Sequence, residues 1–130
     1  MSVMPESTQN AKPLTKDQKM AQAAYGRIVD RHRQGEGFEE YCNFAYAFPA
    51  LIHSCGLVQA VAFAKAKGKA DYIADLQAVF DRVDDAGDLY ERSRAADLSE
   101  YARISRHALA AASWLKRYCQ AMDGGAYTDE

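Results

Sequence analysis

The chain has 130 residues and a mass of 14.4 kDa, with 48 % hydrophobic and 26 % charged residues. That is enough for one globular domain with its own core and excludes a mini-protein held by disulfide or metal staples. No apolar run reaches the roughly 20 positions of a membrane span, and the opening MSVMPESTQNAKP is too polar for a signal peptide, so the cytoplasm is the expected compartment.

The first 13 residues, with Pro5 and Pro13 among Ser, Thr, Gln and Asn, lack periodicity and read as a flexible arm. Thr15 followed by Gln18 is the pattern of a capping box that opens a helix. Ala21, Ala24, Tyr25 and Ile28 fall on its apolar side; Lys16, Lys19, Arg27 and Arg31 fall opposite. Gln34-Gly35-Glu36-Gly37 ends this helix. Phe38 to Cys55 carries no charge after Glu40 and has aromatic residues around its circumference, so it must be surrounded on most sides, with Pro49 expected to bend or split it near Phe48.

Gly56 marks a break, and Leu57 to Lys67 restarts as a helix with Leu57, Val58, Val61 and Phe63 directed inward. Two shorter helices are expected over Asp71–Asp84 and Asp88–Ala96, separated near Asp85-Ala86-Gly87. The last helix is capped by Asp97 or Ser99. Its seam of Tyr101, Ile104, Ala108, Ala111, Leu115, Tyr118 and Met122 repeats at alternating spacings of 3 and 4. Asp123-Gly124-Gly125 stops it, and residues 123–130 read as a flexible acidic tail. Without period-two alternation, the expected fold is all-α, a compact bundle of five to six helices in a single domain over residues 14–122.

The net charge of −2 hides a segregated distribution. Residues 41–70 carry Lys65, Lys67 and Lys69 and no acid; residues 71–100 carry nine carboxylates against three arginines; residues 101–122 carry Arg103, Arg106, Lys116 and Arg117 and no acid. Cationic segments of this kind suit polyanions, and the acidic one suits a solvated or protein-facing surface.

Motifs for chemistry are sparse. Cys42, Cys55 and Cys119 have no CxxC spacing and read as free thiols of a reducing compartment. His53 and Cys55 are two apart and project about 200° from one another on a helix, so they cannot share an ion. His32 and His107 read as structural. Phosphate-loop, dinucleotide and GxSxG patterns are missing, and the Asp81, Asp84, Asp85, Asp88 cluster lacks the spacing and glycine of a calcium loop. The chain is therefore expected to be no enzyme and to need neither metal nor cofactor, with divalent-ion chemistry at the aspartates as the weakest alternative.

The final helix turns Arg103, Arg106, Ala110, Ser113, Trp114 and Arg117 away from its seam. Guanidinium groups grip phosphates and an indole stacks on an unpaired base or anchors a protein. The same residues also suit an indole in a second core layer with arginines paired to the acidic segment. Lys65, Lys67 and Lys69 are equally two-valued, since cations favour a helix C-terminus whatever else they touch.

FPALIHSCGLVQAVAFAKAKGK, residues 48–69, and SEYARISRHALAAASWLKRYCQAM, residues 99–122, resemble the small subunit of type III-B CRISPR effector complexes, the Cmr small-subunit family. LTKDQKMAQAAYGRIVD, residues 14–30, is similar to that family's first helix, whereas residues 70–98 show a looser likeness. The resemblance implies a non-catalytic helical subunit that stacks in several copies beside the filament of backbone subunits holding the guide RNA. Its implied partners are those backbone subunits, the large subunit, further copies of itself, and the guide and target RNA, which it would contact without regard to sequence in antiviral defence. Lys65, Lys67, Lys69, Arg103, Arg106, Lys116 and Arg117 are the candidate phosphate contacts, with Arg27, Arg31 and Trp114 as a secondary set for RNA or a partner. The alternative is a helical protein–protein scaffold that never touches RNA.

Overall fold

A computed structural model describes residues 13–85 and 87–123. The expected arm, apart from Pro13, and the tail beyond Asp123 lie outside the described residues. Among the described residues there are six α-helices and no strand: α1 Lys16–Gln34, α2 Phe38–Cys55, α3 Leu57–Ala66, α4 Ala70–Phe80, α5 Leu89–Ala95 and α6 Leu98–Met122. The all-α bundle expected from the periodicity is the fold.

Local chemistry sets the boundaries. The Thr15 hydroxyl accepts from the Gln18 N–H while the Gln18 amide oxygen accepts from the Thr15 N–H, completing the capping box. Asp88 and Asp97 cap α5 and α6 by accepting from the N–H groups of Glu91 and Glu100. The joint between α2 and α3 is a single residue, Gly56, at φ 87° and ψ 164°, a conformation closed to side-chain-bearing residues without strain. The Tyr101 hydroxyl of α6 accepts from the N–H groups of Leu57 and Val58, supplying the cap that α3 lacks in its own sequence.

The long helix α6 is the centre of the bundle, packing on α1, α2, α4 and α5. Ile104, Ala108, Ala111, Ala112, Leu115 and Cys119 form its buried stripe, against Met20, Ala24 and Ile28 of α1 and Cys42, Ala45 and Phe48 of α2. The seam holds in its middle but ends on Cys119, with Tyr118 and Met122 only half-buried, because a straight helix of 3.6 residues per turn drifts out of a heptad. Small alanines in the stripe bring the helix axes close, and shape-filling falls to Phe48, Tyr72 and Phe80.

Four expectations are corrected. The helix α2 runs unbroken through Pro49, so no split occurs: the proline removes one N–H bond, to the Ala45 carbonyl, and burial of Phe48 and Ile52 around it holds the helix together. Phe63 is 43 % exposed and Val58 half-buried, since Leu57, Ala60, Val61 and Ala64 take the inward face of α3. Tyr25 is 52 % exposed, and the buried stripe of α1 is Met20, Ala24 and Ile28. The helix from Asp71 stops at Phe80, where a turn carries the chain to Asp84.

Candidate nucleic-acid interface

The cations divide into those held by carboxylates and those left to solvent. Arg27 and Arg31, four apart on α1 and so on one face, converge on Asp75 of α4, which is fully buried. Arg27 Nε donates to Asp75 Oδ1 at 2.7 Å and Arg31 Nε to Oδ2 at 2.8 Å; the Tyr41 hydroxyl of α2 also donates to Oδ2. The carboxylate strengthens proton binding by Arg31, and burial followed by the Asp75 charge pushes the Tyr41 phenol far above its usual range. A buried negative charge is tolerable only with this many donors around it. Arg27 and Arg31 of the secondary set are therefore engaged in an ion cluster that joins α1, α2 and α4.

Arg103 is likewise engaged. Its Nε lies 3.3 Å from Asp84, a buried carboxylate whose Oδ2 is 2.8 Å from His107 Nδ1, and its second contact is Glu100. Arg92 pairs with the same Glu100. The aspartates of the acidic segment thus disperse: Asp84 holds His107 and Arg103, Asp88 caps α5, and Asp81 accepts from Gln77. Among the described residues no three His, Cys, Asp or Glu side chains are placed to hold a metal ion.

Arg106 and Arg117 are exposed and have no carboxylate partner among the described residues. Eleven residues apart on α6, they return to nearly the same face about 16 Å along the axis. The Arg117 guanidinium lies 5.6 Å from the Trp114 ring centroid, and Trp114 stacks on Tyr118 at 5.8 Å, with Tyr25 edge-on to Tyr118. Trp114 is half-buried against the core, so it packs inward and still shows an edge beside the arginine. Lys116 is half-buried and engaged.

The three lysines do not converge. Lys65 sits over Tyr90 of α5 at 5.3 Å, whereas Lys67 and Lys69 lie over Phe63 and Phe44 at 5.6 and 5.5 Å. Those two rings, stacked at 6.5 Å with planes 12° apart, line an apolar groove between α2 and α3 that sequence reasoning missed by placing Phe63 in the core. The charge-free run after Glu40 was the available signal: α2 exposes Ala47, Ala50 and Ser54 along that groove. Asp75 was equally hidden, although its position between Tyr72, Leu76 and Val79 puts it on the apolar face of α4.

This is a helical bundle with two arginines along one helix that have no carboxylate partner among the described residues and with lysines beside an apolar groove. The model of the family described as "CRISPR-associated protein (Cas_Cmr5)" matches residues 16–122, and the chain belongs to that family. It is similar to the CRISPR system Cmr subunit Cmr5 of Thermus thermophilus, with 40 % identity over 111 residues, 83 % of this chain and 96 % of that protein. Its fold is also similar to the crystal structure of a CRISPR-associated Cmr5 family protein from Thermus thermophilus, with a TM-score of 0.75 and 39 % identity, covering 84 % of this chain and 98 % of that one. Among the described residues no helix is long and apolar enough to cross a membrane.

Proposed function

We propose that the chain is the non-catalytic small subunit of a type III-B Cmr ribonucleoprotein in the cytoplasm, stacked in several copies along the backbone filament and touching target RNA without regard to sequence. The observation that carries the RNA contact is the pair Arg106 and Arg117, exposed on one face of α6 without carboxylate partners among the described residues. A polyphosphate backbone is the ligand such guanidinium groups suit, and contacts to it convey no sequence preference. Lys65, Lys67, Lys69 and Lys116 extend the set; Arg103 contributes less because Asp84 already holds it. The bundle itself supplies spacing, and the dispersal of the aspartates supports the absence of catalysis.

Replacing Arg106 and Arg117 by Glu tests this reading. In the assembled complex, target affinity falls while subunit stoichiometry stays intact. Unchanged affinity with intact assembly removes these residues from the RNA set. A scaffold without RNA contact is the second reading, favoured by Leu98, an 85 % exposed leucine at the start of α6 that suits a partner protein. Ultraviolet crosslinks from the chain to target RNA decide between the two.

A further inference from the structure

The groove between α2 and α3 has a volume of about 620 Å³ and a lining that is mostly apolar. We propose that it is a nucleobase site for single-stranded RNA, in which one unpaired base lies against Phe63 and Phe44 and the adjoining phosphates meet Lys67 and Lys69. The inference rests on the RNA-contacting reading above and assigns it a second surface, on helices other than α6.

Three observations converge. First, Phe63 gives the solvent a large part of an aromatic ring although the inward face of α3 had no need of it, and its plane is within 12° of that of Phe44. Phe44 is fixed in turn by Phe48 and Tyr72, at ring-centroid distances of 5.6 and 5.3 Å. Two like-oriented rings, one of them anchored in the core, suit a flat ligand, and every base has a π-face.

Second, the cations stand beside the rings themselves. Lys67 and Lys69 are each within 5.6 Å of one ring centroid, and neither has a carboxylate partner among the described residues. Glu40, the one carboxylate of the lining, lies a helical turn before Phe44. An apolar peptide would leave these ammonium groups unanswered, whereas a nucleotide brings an anion next to its base. Third, Asn43 and Ser54 place an amide and a hydroxyl in the otherwise apolar lining, polar groups of the kind a base edge can meet. The Ser54 hydroxyl donates to the Leu51 carbonyl and keeps acceptor capacity.

The test uses the full chain and a short single-stranded RNA carrying 2-aminopurine, whose fluorescence is quenched on stacking. The unaltered chain quenches the probe. Phe63→Leu, which keeps an apolar side chain without a ring, loses the quench and binds about tenfold more weakly; Phe63→Tyr restores both. If Phe63→Leu quenches and binds like the unaltered chain while Arg106→Glu with Arg117→Glu weakens binding, the nucleobase site is overturned, the RNA reading stands, and the groove is a protein-docking surface. If the unaltered chain binds no RNA even at low salt, both are overturned.

Discussion

Asp75→Ala removes the one carboxylate that ties α1, α2 and α4 together, and its cost follows from what is left behind. The Asp75 side chain is 1 % exposed and accepts from Arg27, Arg31 and Tyr41. Arg27 is 42 % exposed and can turn to water, so its loss counts little. Arg31 is only 18 % exposed and keeps the Asp71 carbonyl at 3.2 Å and, more loosely, the Asp71 carboxylate at 3.5 Å. The Tyr41 hydroxyl, half-buried, loses its acceptor. Breaking a fully buried ion pair costs about 3–5 kcal/mol, and a stranded polar group about 1–3 kcal/mol. With Arg27 relaxing into solvent, the low end applies, about 3 kcal/mol in all. Urea unfolding followed by circular dichroism reads it directly: at a slope of about 1.5 kcal/mol/M, the midpoint falls by about 2 M. Tyr41→Phe, which keeps both arginine contacts, costs about 1 kcal/mol. A loss below about 1 kcal/mol for Asp75→Ala, with an unchanged slope, would refute the assignment of this cluster as a structural anchor.

Other outcomes follow from the same geometry. Gly56→Ala is expected to destabilise by about 2 kcal/mol in the same assay, since its φ of 87° and ψ of 164° suit glycine alone and the added carbon would stand 3.4 Å from the Tyr101 hydroxyl; Gly68→Ala, with a φ of 73° in open space, costs about 1 kcal/mol. Stability is expected to fall above about pH 10: burial raises the phenols of Tyr41, Tyr46 and Tyr72 in the folded state, so the unfolded chain loses these protons first. Each contributes a downward slope of about 1.4 kcal/mol per pH unit from its unfolded pKa up to its folded one, and Tyr41→Phe removes one such share, which pH-dependent urea titrations resolve. Replacing both Arg106 and Arg117 by Gln is expected to reduce the salt dependence of RNA affinity by about 1.4 in log–log slope, from about 0.7 per phosphate contact, whereas Arg27→Gln leaves it unchanged because Asp75 already neutralises that face. Leu98→Glu should leave the fold intact or slightly stabilised in thermal melts, being 85 % exposed and at the positive end of α6.

What the sequence determined by itself is whatever depends on neighbours within one helical turn or two. The capping box at Thr15 and Gln18, the Asp97 cap, the glycine breaks and the mid-helix seam from Ile104 to Leu115 were all legible because hydrogen-bonding reach and helical period fix them locally. Segregated charge was legible as well, and with it the cationic segments. Which cations remain available was decided only in three dimensions. Arg27 and Arg31 read as a solvent-facing strip until α4 brought Asp75 against them from more than 40 positions away, whereas Arg106 and Arg117 meet no such carboxylate among the described residues. Phe63 and Tyr25 moved outward for a related reason: an apolar residue at helical spacing marks a face, and only the neighbours' volumes choose which members of that face go under. A charge's meaning depends on its partner, and partners across a bundle are set by packing rather than by spacing along the chain.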